Sequence, residues 1–185
     1  MAQSKILIDT NSYLRLAQSI HPLLCESFGS NEFCLYVIPE LNRELRAKHL
    51  RTKFPWVDQS ELVEGRQRFP SLSRKQKRAI EQTVDFVWDH VETELPGPSR
   101  VDARYVAYAV ELGIPLVTDD EDLIKLAETF GASVMRSLDL LKLMLDEGHV
   151  DVGKIRATVA YWRHIGDTPG QLDARYRRLF GTKPP

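Results

Sequence analysis

The sequence predicts an α/β fold, a central parallel sheet with helices on both faces. Three observations carry that reading. Four short apolar runs, Ile6-Leu7-Ile8, Phe33-Cys34-Leu35-Tyr36-Val37-Ile38, Leu116-Val117-Thr118 and Ser133-Val134-Met135, have the length and composition of buried strands. Helical patterns follow each run, and strands that alternate with helices imply crossover connections and hence a parallel sheet. Two of the runs stop abruptly in acids, Asp9 and Asp119-Asp120-Glu121-Asp122, at strand ends where open α/β sheets place their ligands.

After the first strand, Leu14, Leu16 and Ala17 give Ser12 to Ser19 a helical pattern, with Asn11 available to cap it. His21-Pro22 interrupts, and Leu23 to Phe28 reads as a second short helix. Gly29-Ser30-Asn31 is a turn cluster before the second strand. Pro39, favoured at a first helical position, opens a helix over Glu40 to Leu50. Glu40 and Glu44 share one face of it, one turn apart.

Arg51 to Ser73 is the least patterned stretch, a long connection with one helical piece near Gln59 to Arg68. Connections of this length are uncommon and often functional. Ser73 then caps a long amphipathic helix, Arg74 to Glu94, whose apolar positions Ile80, Val84, Val87 and Val91 recur at three- and four-residue steps. Its first turn carries Arg74, Lys75, Lys77 and Arg78, where the helix dipole disfavours positive charge.

Leu95-Pro96-Gly97-Pro98-Ser99 stops that helix. The helix from Arg100 presents Ala103, Val106, Ala107 and Val110 as a small-residue face and ends at Gly113. Asp102 stands in its first turn, where an acid satisfies the dipole. Leu123 to Phe130 forms the next helix, closed by Gly131, and Ser137 caps a helix from Leu138 to Glu147. Two more helices, Val152 to Trp162 and Gln171 to Phe180, make an extension, so residues 1–150 form the main domain and 151–185 pack on or beside it.

With 185 residues the chain can bury one sizeable core. Two cysteines, Cys25 and Cys34, are too few for a disulfide framework and suit a reducing cytoplasm. No stretch reaches the roughly twenty apolar residues of a membrane span, and the apolar run near the amino terminus is too short for a signal peptide. The net charge is −1, so nucleic-acid binding is not written in the whole-chain charge. The distribution is uneven: from Leu41 to Ile80 eleven bases stand against four acids, whereas acids predominate from Glu81 to Asp151. Such blocks read either as solvated faces or as a basic rim beside an acidic pocket, the arrangement a metal-dependent nuclease needs.

On their own, Asp9 and Asn11 are what a cap and a turn require. The further acids add a second reading. Strand ends hold Asp9 and Asp119/Asp120, and helix starts hold Glu44 and Asp102, all on one rim of a parallel sheet. Four consecutive acids repel one another by about a kcal/mol or more per close pair, which a divalent cation relieves better than solvent does. Only oxygen ligands are offered, which excludes a structural zinc site and favours Mg²⁺ or Mn²⁺. Neither a glycine-rich phosphate loop nor a G-x-S-x-G elbow is present.

Ile6-Leu7-Ile8-Asp9-Thr10-Asn11, Ile38-Pro39-Glu40-Leu41-Asn42-Arg43-Glu44-Leu45, and Asp102-Ala103 through Thr118-Asp119-Asp120-Glu121-Asp122-Leu123 together resemble the PIN-domain (PilT amino-terminus) nucleases. The resemblance covers about Lys5 to Leu145. It implies a PIN-like three-layer α/β/α fold with four or five short parallel strands. Asp9, Glu44, Asp102 and Asp120 then fall on the family's four acidic, metal-binding catalytic positions, with Glu40 as the rival to Glu44. Asn11, Thr118, Asp119 and Asp122 fall in supporting places. The activity implied is Mg²⁺- or Mn²⁺-dependent endoribonuclease, in many members as a toxin of a toxin–antitoxin pair. The alternatives are a PIN scaffold that binds RNA or protein without useful catalysis, and a structure-specific DNA nuclease. The partners implied are RNA, held by Arg43, Arg46, Arg74, Lys75, Lys77 and Arg78, a protein antitoxin or inhibitor, and a second copy of the chain. Trp56, Tyr105 and Tyr108 are candidates for stacking on a base, with core packing the simpler reading for the two tyrosines.

Overall fold

The computed structural model describes residues 3–185. Four strands, β1 (Ser4–Ile8), β2 (Phe33–Tyr36), β3 (Leu116–Val117) and β4 (Val134–Met135), form one parallel sheet in the order β2-β1-β3-β4. Of the four or five strands expected, four are formed. The register sets Leu7 beside Tyr36 on one side and Leu116 on the other, and Ile8 beside Val117. The chain runs outward from β1 to β2 and later returns to β3 on the opposite side. The carboxyl ends of β1 and β3 therefore flank the switch point of the sheet, where ligand crevices open in such folds.

Alternation along β1 divides the interior into two layers. Ile6 and Ile8 join one core with Tyr13, Leu16, Leu141, Met144 and Trp162, from α1 (Thr10–Leu16), α8 (Ser137–Asp146) and α9 (Val152–His164). Leu7 joins the other with Val84, Val87, Val106, Ala107 and Leu126, from α5 (Arg74–Glu94), α6 (Arg100–Leu112) and α7 (Glu121–Thr129). This is the three-layer α/β/α arrangement expected. The extension belongs to the same body: Ile155, Val159 and Trp162 of α9 and Tyr176 of α10 (Leu172–Phe180) are buried in the first core.

Local signals place most boundaries. Ser73 caps α5: its hydroxyl accepts from Gln76 N at 3.2 Å while Gln76 Oε1 accepts from Ser73 N at 3.0 Å. Gly113 ends α6 at φ 62°, a left-handed position that costs glycine nothing. The short helical piece expected near Gln59 is α4 (Ser60–Gln67), preceded by a 3₁₀ turn at Pro55–Asp58.

Four expectations are corrected. Leu23–Phe28 is not helical: Cys25 takes φ 61°, and Phe28 makes an antiparallel bridge with Phe33. The helix expected over Glu40–Leu50 is two short ones, α2 (Leu41–Glu44) and α3 (Lys48–Lys53), because Ala47 is extended at ψ 127° between them. Asp9, not Asn11, caps α1, and Asn11 lies exposed inside it. Ser137 is the first residue of α8 rather than its cap, and Asp139 supplies the bond to Arg136 N at 2.9 Å. In the last two cases a hydroxyl or amide one or two residues from a helix start was a less favourable partner than a nearby carboxylate. None of the described helices is long and apolar enough to cross a membrane.

Candidate active site

Asp9 is the centre of the rim. The pairing of Asp9 N with Val117 O at 3.0 Å carries the β1–β3 ladder one residue past the strand, which sets Asp9 beside Thr118. Thr118 is fully buried; its hydroxyl donates to Asp9 Oδ2 at 2.8 Å and accepts from Asp120 N at 3.1 Å. One side chain thus joins the ends of the two central strands. Asp9 Oδ1 accepts from Ser12 N at 2.7 Å, closing the first turn of α1. Ser12 Oγ, buried in that same turn, has no hydrogen-bond partner.

Burial pushes the Asp9 carboxyl up to about 6; bonds from Ser12 and Thr118 oppose the rise, and the charge of Asp119 adds to it. Glu44, at the end of α2, accepts a short hydrogen bond from Thr10 Oγ1. Its carboxyl is raised by burial and, more weakly, by Asp102. Asp102 accepts from Ser99 N at 2.6 Å in a capping box, so the dipole-satisfying role of a first-turn acid is real. Burial also raises its carboxyl, and the charges of Asp120 and Asp122 raise it further. Asp120 caps α7 through one oxygen, accepting from Asp122 N at 2.9 Å and Leu123 N at 3.0 Å.

Asp102 thus lies within electrostatic reach of Glu44, Asp120 and Asp122, and Thr118 links Asp9 to the backbone of Asp120. Among the described residues, however, no group of three or more His, Cys, Asp or Glu is arranged to hold a metal ion. Asp102 and Asp120 are held at their own helix starts, Asp9 is shared between α1 and Thr118, and Glu44 is bound by Thr10.

The supporting residues divide. Thr118 is the joint between strands. Asp119 faces away into an ion pair: Arg15 Nη1 donates to its Oδ2 at 2.6 Å and Ser137 N to its Oδ1 at 3.2 Å. Arg15 Nη2 reaches Asp167 of the extension at 3.0 Å. Asp122 is exposed and pairs with Lys125 at 3.3 Å. Glu40, the rival to Glu44, points to Arg104 at 3.3 Å instead of to the rim. Arg43, Arg46, Arg74, Lys75, Lys77 and Arg78 are all exposed. Trp56 packs inside against Tyr13 and Phe54, so it offers no face to a base.

Of two further residues, the sequence marks Tyr105 only as a stacking or core residue, and Arg66 not at all. Tyr105 is buried, with its hydroxyl 3.3 Å from Thr10 Oγ1. Burial raises that phenol well above its ordinary value, and Asp9, Glu44 and Asp102 all add to the rise, so it stands among three of the acids. Its position one turn after Asp102 on α6 was the available signal. Arg66, buried at 3% exposure, has no carboxylate partner; it donates to Tyr13 Oη at 3.0 Å, Asn42 Oδ1 at 3.1 Å and Val57 O at 2.6 Å. It fastens α4 to α1 and α2, the elements that carry Thr10 and Glu44. Nothing local in a charge-rich stretch marks it out.

Compared with protein-family models, with curated proteins and with solved structures, the chain matches none.

Proposed function

We propose that the chain is a PIN-like, Mg²⁺- or Mn²⁺-dependent endoribonuclease with Asp9, Glu44, Asp102 and Asp120 at its centre. The observation that carries this reading is the buried Asp9 at the switch point, tied through Thr118 to Asp120 and raised by burial and a neighbouring charge. A buried carboxyl so perturbed in a crevice of acids is the mark of a functional group. The donors are hard oxygens, and Ser12 Oγ is a buried oxygen without a partner. A Mg²⁺ ion usually keeps several waters and takes one or two carboxylates plus substrate phosphate. In that water-rich mode Asp9, Asp102, Asp120 and Glu44 would hold the ion. When bound, the ion lowers the pKa of water and neutralises charge developing on the phosphate. For its part, the chain holds Asp9 by two hydrogen bonds and places the neutral Tyr105 phenol beside the acids, and its exposed bases Arg43, Arg46, Arg74, Lys75, Lys77 and Arg78 would attract RNA phosphates.

Purified protein is expected to cleave single-stranded RNA with Mn²⁺ or Mg²⁺ and to stop in excess chelator, and Asp9→Asn is expected to lose nearly all activity. Full activity in chelator, or in Asp9→Asn, overturns the chemistry. One observation favours a second reading, a non-cleaving RNA- or protein-binding module: among the described residues no three acids are arranged to hold an ion. RNA binding without any uptake of Mn²⁺ in a calorimetric titration would establish it. A protein antitoxin, and a homodimer, remain parts of the proposal that rest on the resemblance.

A further inference from the structure

A cavity of about 360 Å³ lies between the end of α4, the start of α5 and Tyr108 of α6, with Pro39 at its edge. From its lining and surroundings we infer that this cavity is a base subsite, taking the nucleobase next to the scissile phosphate of a single-stranded RNA. The inference rests on the nuclease reading for its substrate class.

The walls are flat and apolar: Phe69 and Tyr108 meet edge to face at 5.3 Å, and Pro39 and Ile80 close the sides. Phe69 is only half-buried, so part of its ring remains uncovered. A partly exposed aromatic in a pocket is what stacking on a base requires, and stacking tolerates any base because each has a π-face. The size falls in the range of small-molecule pockets, and Gln67, Ser71, Lys77 and Glu81 add polar groups to the apolar walls.

Charge decides the occupant. Lys77 and Glu81 both line the cavity; Glu81 is held by Arg104 at 2.8 and 3.1 Å, which leaves Lys77 as the exposed cation there, and Arg74, Lys75 and Arg78 are exposed on the same first turn of α5. Those bases sit where the helix dipole disfavours them, so helix stability gives no reason for their presence. A phosphate at the mouth of the cavity does. An apolar peptide or a neutral metabolite would leave that charge without a partner.

Position ties the cavity to the rim. Tyr108 lies on α6 one turn beyond Tyr105 and about 9 Å along the axis from Asp102, at 1.5 Å per residue. Pro39 precedes α2, whose last residue is Glu44. A base seated against Phe69 therefore belongs to a nucleotide adjacent to the one held by the acids.

The test reads binding in chelator, where no cleavage occurs. A fluorescent single-stranded RNA ten-mer is scanned with one abasic replacement at each position, and affinity is measured by anisotropy for the wild type, Phe69→Leu and Lys77→Glu. One position is expected to weaken binding about tenfold when abasic, the size of a single lost base–aromatic stack. That penalty should shrink in Phe69→Leu, a substitution that keeps the apolar volume, and Lys77→Glu should weaken binding to all the oligonucleotides alike. An abasic penalty that is uniform along the strand, or one that Phe69→Leu leaves unchanged, overturns the subsite even if Mn²⁺-dependent cleavage is observed. A localised, Phe69-dependent penalty in a protein that never cleaves supports the subsite while removing the nuclease reading.

Discussion

Replacing Asp9 by Asn tests the physical state of the rim without any substrate. Asp9 is buried, and its carboxyl titrates at about 6 in the folded chain against an ordinary value of 3.8. Between those two values the folded protein holds a proton that the unfolded chain has released. Stability contributed by this group is therefore complete below the lower value and lost as pH rises through the upper one. At 1.36 kcal/mol per pH unit the loss is on the order of 3 kcal/mol, complete above about pH 7. Asn is nearly isosteric with the protonated acid and equally good as a helix cap, so it escapes this loss. It keeps the acceptor for Ser12 N but not the acceptor for the Thr118 hydroxyl, which returns about 1 kcal/mol. Asp9→Asn should match the wild type near pH 4.5 and exceed it by about 2 kcal/mol near pH 7.5, which for a chain of this size is roughly 4–8 °C in melting temperature. Thermal unfolding followed by circular dichroism across that range measures the difference. Saturating Mn²⁺ should close the gap at pH 7.5 by stabilising the wild type alone, since an ion at 100 times its dissociation constant adds about 2.7 kcal/mol. A difference that is flat between pH 4.5 and 7.5 would show that Asp9 is not an abnormally held acid, and the electrostatic argument for the site would fail with it.

Two further substitutions probe the supports. Arg15→Met leaves Asp119 in a buried position without its cation, the ion pair being only 9% and 7% exposed, and should cost about 3–5 kcal/mol in urea unfolding at pH 7. A loss below about 1 kcal/mol would mean that water screens the pair. Ser99→Ala removes the hydroxyl that accepts from Asp102 N at 3.2 Å and should cost about 1 kcal/mol, with Ser99→Asp restoring it. Equal stability of all three proteins by urea midpoint would show that the box contributes nothing.

What could be read from the sequence was what depends on neighbours in the chain. The strand at Ile6–Ile8, the acid that ends it and the helix from Arg74 to Glu94 all follow from composition, period and capping residues. The ordering of strand and helix fixed the parallel sheet, and with it the convergence of Asp9 and Asp120. Distant partners stayed hidden. Nothing near Arg15 says that it will bury itself against Asp119 and Asp167, 104 and 152 residues away. Arg66 lies in a stretch of exposed charge, yet its guanidinium is inside because three neutral acceptors from separate segments meet there. Period also failed where elements are short: over Glu40–Leu50 it could not show that the chain turns extended at Ala47. The resemblance read in the motifs implied a shared rim for the acids but was silent on how each is tethered. The tethers explain why four acids near one another form no ready-made metal cage.

Those tethers also give the carboxy-terminal extension a part in the site. Trp162 of α9 is fully buried and donates through Nε1 to Arg15 O at 3.0 Å, so the extension grips the same residue that neutralises Asp119. Asp167, in the loop after α9, completes the ion pair from the other side. Asp119 is the acid whose charge works against ionisation of Asp9. With Arg15 in place, much of that charge is balanced and directed away from the rim. Were α9 to detach, Arg15 would lose Asp167 and the backbone contact that orients it. Asp119 would then act on Asp9 with its charge less well neutralised. The extension is thus coupled to the rim through two ion pairs and one indole hydrogen bond: Trp162 and Asp167, more than 150 positions from Asp9 in the chain, hold the arginine that pairs with Asp119.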